Sequence, residues 1–94
     1  MSNNNSIRPE DVLPDGVDST AINGKVVRKG TIAAFLANTD ILENLTATEK
    51  QKQEAIDTMK ELAPAVVAIG LHKHVIFKNL EAEQILVDAE LSMK

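Results

Sequence analysis

The sequence predicts a small, mostly helical α+β domain, and three observations carry that prediction. Asn23-Gly24 lies between two short runs with β-branched residues, which is the strongest short-range signal for a β-hairpin. Apolar residues recur at helical spacing over most of the chain that follows. The chain has 94 residues, of which 44% are hydrophobic, so it can form one small core.

The first residues are rich in asparagine and serine, so we predict a disordered tail over residues 1–8 and a single domain over residues 9–94. An N-terminal arm follows, where Pro9 and a turn at Pro14–Gly16 are expected to prevent regular structure. The hairpin comes next, over about residues 20–28. An isolated hairpin is only marginally stable in water, so we expect it to pack on helices.

Three helices are predicted after the hairpin, over about residues 31–44, 47–69 and 79–93. The first starts at Thr31, whose hydroxyl suits an N-cap because it can accept a hydrogen bond from the first turn. Asn79 is the corresponding cap of the last helix.

The long middle helix has the clearest signals. Thr46 and Glu49 stand in the spacing of a capping box, and Gly70 supplies a C-terminal stop. Pro64 lies well inside and removes one backbone hydrogen bond, so we predict a helix that is kinked at Pro64 or restarts near Ala63. The first half is polar on all sides and the second half is nearly all apolar. We therefore expect the first end to project into solvent.

The segment between the last two helices fits two interpretations. Its alternation allows a short strand over residues 72–77, and its apolar run fits equally well a turn that leads into the last helix. On a strand, His72 and His74 would point the same way and both imidazoles would reach one divalent metal ion. The sequence offers no third ligand and Lys73 lies between the two, so a partly exposed polar edge is the simpler interpretation.

Charge and composition restrict the function. The formal net charge is −4, whereas a general nucleic-acid binder needs lysine and arginine concentrated on one face. The absence of cysteine excludes disulfides and thiolate chemistry. No apolar run approaches the roughly 20 residues of a membrane span, and the N-terminus lacks the layout of a signal peptide. We expect a soluble cytoplasmic protein with no membrane partner, no cofactor and no catalytic residues.

A basic cluster precedes the first helix and consists of Arg28, Lys29, Gly30 and Thr31. Because the N-terminus of a helix carries unpaired N–H groups and a partial positive charge, this cluster is a candidate anion site. The paired glycines and the Lys-Ser/Thr ending of a phosphate loop are missing, which favours solvated residues at a tight corner instead.

A non-enzymatic interaction module is the leading functional hypothesis. A small, alanine-rich core gains little stability per residue, so homodimerisation that buries more apolar surface is expected. We predict an aliphatic interaction face on the second half of the long helix and on the last helix, for a second copy or another protein. Its residues are Ala65, Val66, Ile69, Ile85 and Leu86.

Two alternatives stay open. The first is a small DNA-associated regulator of helix-turn-helix type, because the polar half of the long helix carries residue types that read bases. The net negative charge opposes this alternative, so a nucleic-acid partner is not expected. The base-reading candidates in that half of the helix are Thr48, Lys50, Gln51, Lys52 and Gln53.

The second alternative is a metal-binding or enzymatic domain built on His72 and His74.

The hairpin, the stretch KGTIAAFLAN and the later stretch LAPAVVAIGL together resemble a small bacterial protein family of unknown function. That family carries a glycine hairpin, a Gly-Thr-[Val/Ile]-Ala-Ala helix start and a later Pro…Gly-Leu. The resemblance covers the middle part of the chain and fades after Leu71, where an aromatic-rich stretch is replaced by HKHVIFKNLEAEQ. It implies a shared fold and no activity or site. The matching residues are Gly24, Val27, Gly30, Thr31, Ile32, Ala33, Ala34, Leu36, Pro64, Gly70 and Leu71.

Overall fold

The computed structural model describes residues 7–13 and 16–93. Residues 1–6 of the predicted tail, and Pro14 and Asp15 of the predicted turn, lie outside this range. The mostly helical α+β fold is confirmed, since a two-stranded antiparallel hairpin is followed by three main helices. The elements are α1 (Pro9–Val12), β1 (Ser19–Ile22), β2 (Lys25–Arg28), α2 (Thr31–Glu43), α3 (Glu49–Ile69), a 3₁₀ turn (Leu71–Lys73) and α4 (Leu80–Ser92).

The N-terminal arm contains one regular element, contrary to the expectation that Pro9 would prevent it. Pro9 is the first residue of α1, where its missing N–H group costs nothing because that group would have no helical partner. The Asp11 carboxylate accepts a hydrogen bond from the Arg8 backbone N–H at 2.9 Å, and the Leu13 N–H donates to the Pro9 carbonyl at 2.9 Å. The arm therefore forms a single helical turn.

The hairpin forms as predicted, and its turn also fastens it to α3. Asn23 and Gly24 both have positive φ angles, 48° and 83°, as a type I′ turn requires. Thr20 pairs with Val27, whose side chain is buried. The Asn23 side-chain amide donates a hydrogen bond of 2.7 Å to the Ala68 carbonyl near the end of α3. Asn23 thus shapes the turn and anchors it.

The corner between β2 and α2 differs from the prediction at its cap. Gly30, with a φ of 83°, is the N-cap, and Thr31 is the first helical residue. The Thr31 hydroxyl does not accept a hydrogen bond from the first turn of α2; it donates one of 2.6 Å back to the Arg28 carbonyl. The prediction of Thr31 as N-cap is wrong because the left-handed glycine already turns the chain into the helix.

The capping box of α3 lies two residues later than predicted. Thr48 Oγ1 accepts from the Gln51 N–H at 3.1 Å, and the Gln51 side chain accepts from the Thr48 N–H at 2.8 Å. Thr46 does not form the predicted capping box, because its N–H, which the Glu49 side chain would have to bind, donates to Asn44 Oδ1 together with its hydroxyl. A local turn at Asn44 therefore delays the start of α3 to Glu49.

The long helix runs unbroken from Glu49 to Ile69, so no restart occurs near Ala63. Gly70, with a φ of 96°, ends it as predicted. Pro64 lies inside the helix and has no N–H to donate to the Lys60 carbonyl. The exposed residues at the start of α3 and the buried residues in its second half confirm the predicted difference between its two ends.

No strand forms over residues 72–77. The chain makes the 3₁₀ turn and then an irregular segment up to Asn79, which caps α4 by accepting a hydrogen bond of 3.0 Å from the Ala82 N–H. The Phe77 N–H donates to Glu83 of α4, and no edge of the hairpin pairs with this segment in the described part of the chain. The turn interpretation is therefore correct and the strand interpretation is wrong.

The core lies where α2 and α4 pack against α3. The Phe35 ring of α2 is fully buried and meets the Phe77 ring edge to face, with centroids 5.4 Å apart. Buried apolar side chains from the three helices complete one contiguous cluster, which gives the domain a single core. The buried members of that cluster are Phe35, Met59, Ala63, Val66, Ala82, Ile85 and Leu86.

Candidate functional site

Three of the five residues of the aliphatic face predicted for interaction, Val66, Ile85 and Leu86, are part of this core. Val66 and Leu86 are fully buried and Ile85 is 7% exposed, while Ala65 and Ile69 are partly exposed. The prediction is wrong for these three residues, because helical periodicity shows which side of a helix is apolar and does not show what covers that side. Here α3 and α4 cover each other within one copy of the chain.

The basic cluster forms the corner between β2 and α2. Thr31 is buried and does not face solvent, and its hydroxyl donates a hydrogen bond to the Arg28 carbonyl. Arg28 and Lys29 are exposed, and neither forms an ion pair within the described residues. The structure brings the four residues together as a corner. Apart from the general attraction of a helix N-terminus for negative charge, nothing in the described part of the chain would hold an anion there.

His72 and His74 do not converge. The His72 side chain lies in the 3₁₀ turn and is 10% exposed, whereas His74 is exposed after that turn. His72 Nε2 lies 2.6 Å from Glu83 Oε2, and Nδ1 lies 3.6 Å from Glu90 Oε1. Within residues 7–13 and 16–93, no three histidine, aspartate or glutamate side chains group as metal ligands do. The strand on which the metal hypothesis depended is absent, so His72 acts as a structural partner of α4.

Glu83 organises the segment before α4, a role that sequence reasoning missed. Its Oε1 accepts from the Phe77 N–H at 2.9 Å, and its Oε2 is bonded to His72 Nε2. The hydrogen bond from the Phe77 backbone, and after it the bond with His72, lower the pKa of Glu83, while partial burial opposes that change. Both bonds join the segment between α3 and α4 to a residue of α4 that lies 6 or 11 positions away in the sequence. Local sequence patterns therefore do not predict them.

We expect acid to remove the stability that Glu83 contributes. The pKa of Glu83 is lower in the folded protein than its ordinary value of 4.5, so the contribution is present above that value and is lost as pH falls through the folded pKa. Glu83→Gln removes the titrating group and keeps the side-chain shape. Urea unfolding at a series of pH values should show a stability advantage of the wild type that is largest near neutrality and shrinks in acid.

The matched control is Glu81→Gln, because Glu81 is exposed on the same helix. Its difference from the wild type should stay small and change little with pH. A constant difference between the wild type and Glu83→Gln across the acid range would contradict the assigned role.

The outer side of α2 carries apolar residues that the core does not cover. Leu36 is 46% exposed and Ile41 is 36% exposed, and Ala33 and Ala37 are exposed beside them. The buried side of the helix is formed by Thr31, Phe35 and Thr39. We call Ala33, Leu36, Ala37 and Ile41 the α2 outer face. Since α2 is apolar on both sides, this face is a candidate contact surface.

The outer side of α4 has the same property. Leu80 is 82% exposed, Leu91 is 63% exposed, and Val87 is partly exposed between them. Gln84 is also exposed on this side. We call Leu80, Gln84, Val87 and Leu91 the α4 outer face. It lies opposite the residues of α4 that are buried in the core.

A groove of about 380 Å³ lies between the hairpin turn, α3 and the end of α4. Lys25 and Lys60 line it together with Asp88, above a largely apolar floor that includes Pro64 and Met93. The two lysines form no ion pair in the described part of the chain. The groove therefore offers charges of both signs and does not select one class of ligand.

The basic residues do not form one continuous surface of the kind that binds DNA. Lys50 and Lys52 lie near the start of α3, while the hairpin with Arg28 is anchored at Ala68 near its other end. A helix rises about 27 Å between positions 50 and 68. Gln51, a candidate base reader, is used in the capping box. This distribution does not support the helix-turn-helix hypothesis.

Among the residues that the structure describes, no helix has the length and apolar character of a membrane span. The resemblance to a bacterial family of unknown function stays a prediction. Comparison of the chain with protein-family models, with curated proteins and with solved structures gives no match.

Proposed function

We propose that this protein is a non-enzymatic interaction module that self-associates through the α2 outer face. The observation that carries the proposal is the exposure of Leu36 and Ile41, with Ala33 and Ala37 between them, on a helix whose other side is already in the core. A helix that is apolar on all sides is normally covered by protein. Asp40 is the one charged residue between Ala33 and Ile41, and at 100° per residue it lies on this same side of the helix, so each copy has one carboxylate to desolvate.

The charges at the two ends of α2 favour an antiparallel pair of copies. Arg28 and Lys29 precede its N-terminus, and Asp40 and Glu43 lie in its last turn. This is the reverse of what the helix dipole favours, since the dipole stabilises acidic residues at the N-terminus and basic residues at the C-terminus. Antiparallel packing of two α2 helices brings the basic end of each beside the acidic end of the other and so offsets the unfavourable arrangement.

A two-fold axis near Ala37 gives this pairing. Ala33 and Ala37 are one helical turn apart, and their small side chains allow two helices to approach closely, with Leu36 and Ile41 at the sides of the contact. The two copies of Asp40 are then about 9 Å apart along the axis, and the ion pairs at the two ends of the contact have to offset their repulsion. An isologous contact of this kind closes on itself and produces a dimer.

Sedimentation velocity over rising protein concentration tests the proposal. The wild type should shift from monomer to dimer, and Ala37→Glu, which places a carboxylate at the centre of the contact, should remain monomeric. Lys29→Glu and Glu43→Lys should each weaken the dimer by about three- to tenfold, because each removes two symmetry-related ion pairs at the rim. The double variant should recover the wild-type affinity.

Lys25→Glu is the matched control, because it makes the same charge change on the hairpin and away from α2. It should leave the dimer unchanged. A wild-type monomer at high micromolar concentration would overturn the proposal. A double variant that dimerises no better than the single variants would overturn the antiparallel arrangement.

A further inference from the structure

We propose a second docking surface, the α4 outer face, whose occupant is a basic amphipathic helix of another protein. This surface is separate from the α2 outer face, because the two faces lie on different helices, each on the side that points away from the shared core. The protein would then dimerise through one helix and bind its partner through another. The inference rests on the exposure, spacing and charge of the α4 residues.

The four residues of the α4 outer face point directly away from the core. At 100° per residue they fall within an arc of about 60°, opposite the buried side of the helix. Leu80 and Leu91 are among the exposed large apolar side chains, at 82% and 63%. Two exposed leucines and a partly exposed valine on a single stripe are more than scattered surface apolar residues. The buried side is formed by Ala82, Ile85 and Leu86.

The spacing of this stripe is that of a helix-packing seam. Leu80, Gln84, Val87 and Leu91 follow one another at intervals of four, three and four residues. These are the intervals at which one helix packs along another over three turns. A single polar residue within such a seam, here Gln84, selects the register of the partner.

Carboxylates border the seam on both sides. Glu81 and Asp88 lie along one edge, and Glu83 and Glu90 lie along the other. Residues 80–92 contain no lysine or arginine, so α4 carries four negative charges, as many as the formal net charge of the whole chain. Residues that flank a seam determine partner choice, and lysine or arginine at the facing positions pairs with these carboxylates.

The same carboxylates argue against a second α4 as the occupant. In either a parallel or an antiparallel pair, the flanking carboxylates of one α4 would face those of the other, and like charges in a contact are strongly unfavourable. The neighbouring side chains of this chain leave one edge of the seam open. His72 faces Glu83 and Glu90, whereas Glu81 and Asp88 form no ion pair in the described residues. Lys25 and Lys60 lie along the groove that Asp88 borders and limit how far a basic partner extends on that side.

A synthetic three-heptad peptide with leucine at the seam positions and lysine at the flanking positions tests the inference by fluorescence anisotropy. We expect it to bind the full chain with a micromolar Kd that weakens as salt rises. A peptide with the same leucines and glutamate at the flanking positions should bind at least about tenfold more weakly. Binding should persist in Ala37→Glu, which separates this inference from the proposed dimer.

Two variants locate the site. Leu80→Ser with Leu91→Ser changes only exposed side chains and should weaken binding by more than about tenfold. Glu81→Gln with Asp88→Asn should weaken it about tenfold without touching the carboxylates that face His72. Circular dichroism checks that each variant keeps the fold.

The matched control is Glu54→Gln with Asp57→Asn on α3. It removes the same charge, and Asp57 accepts a hydrogen bond from Gln53 just as Asp88 accepts one from Gln84. This control should bind like the wild type, and an equal loss would show nonspecific attraction to an acidic protein and overturn the inference. No binding of the basic peptide, or binding that is indifferent to the two leucines, would also overturn it. A change in sedimentation instead of peptide binding would assign the face to a second copy.

Discussion

Phe35→Ala is expected to lower the free energy of unfolding by about 3–5 kcal/mol. The Phe35 side chain is fully buried, lies between α2 and α3, and makes the edge-to-face contact with Phe77. Truncation loses the transfer free energy of the ring, leaves a cavity and removes the aromatic contact. A domain of this size has a total stability of about 5–15 kcal/mol, so this one substitution should remove a large part of it.

Urea denaturation followed by circular dichroism measures this loss. Leu36→Ala is the control, because Leu36 is the next residue along α2 and is 46% exposed. Its loss should remain below about 1 kcal/mol. Similar losses for the two variants would contradict the orientation of α2, and a large loss for Leu36→Ala alone at high protein concentration would indicate that a second copy covers Leu36.

Pro64→Ala is expected to raise the free energy of unfolding by about 1–2 kcal/mol. A proline inside a helix is about 3 kcal/mol less favourable than alanine, and the substitution restores a donor for the Lys60 carbonyl. The loss of contacts made by the half-buried ring offsets part of that gain. For a chain of this length, the melting temperature should rise by about 4–8 °C for each kcal/mol.

Differential scanning calorimetry measures the change. Pro9→Ala is the control, because Pro9 is the first residue of α1, where proline is well tolerated. That variant should not gain stability. A fall in the melting temperature of Pro64→Ala would mean that the ring contacts along the groove outweigh the missing hydrogen bond.

Features set by a few neighbouring residues were predictable from the sequence. The Asn23-Gly24 turn, the stop at Gly70 and the cap at Asn79 each depend on the conformation of one or two residues, and all three are confirmed. The start of α3 shows the limit of such reasoning. The predicted box at Thr46 does not form, because the N–H and hydroxyl of Thr46 donate to the Asn44 side chain, and Thr48 caps the helix instead.

Features set by distant residues were not predictable. Glu83 reaches back to Phe77 and His72, and those bonds replace the strand that alternation suggested. The prediction of the interaction face was wrong at its buried residues for a related reason. Helical spacing identified apolar residues such as Val66 and Leu86 and could not show that α3 and α4 cover each other. Both α2 and α4 carry apolar residues on two sides, so the sequence does not show which side faces outward. The exposure of each side chain in the folded chain shows it.

The bond from Asn23 to Ala68 closes the chain into a ring. The two residues are 45 positions apart, and the chain between them contains α2 and nearly all of α3, whereas α4 follows the closure. Separating the hairpin turn from the end of α3 therefore requires breaking this bond. The chain from Leu71 onward, which includes α4, lies outside the ring, so α4 is the helix whose detachment leaves the bond intact.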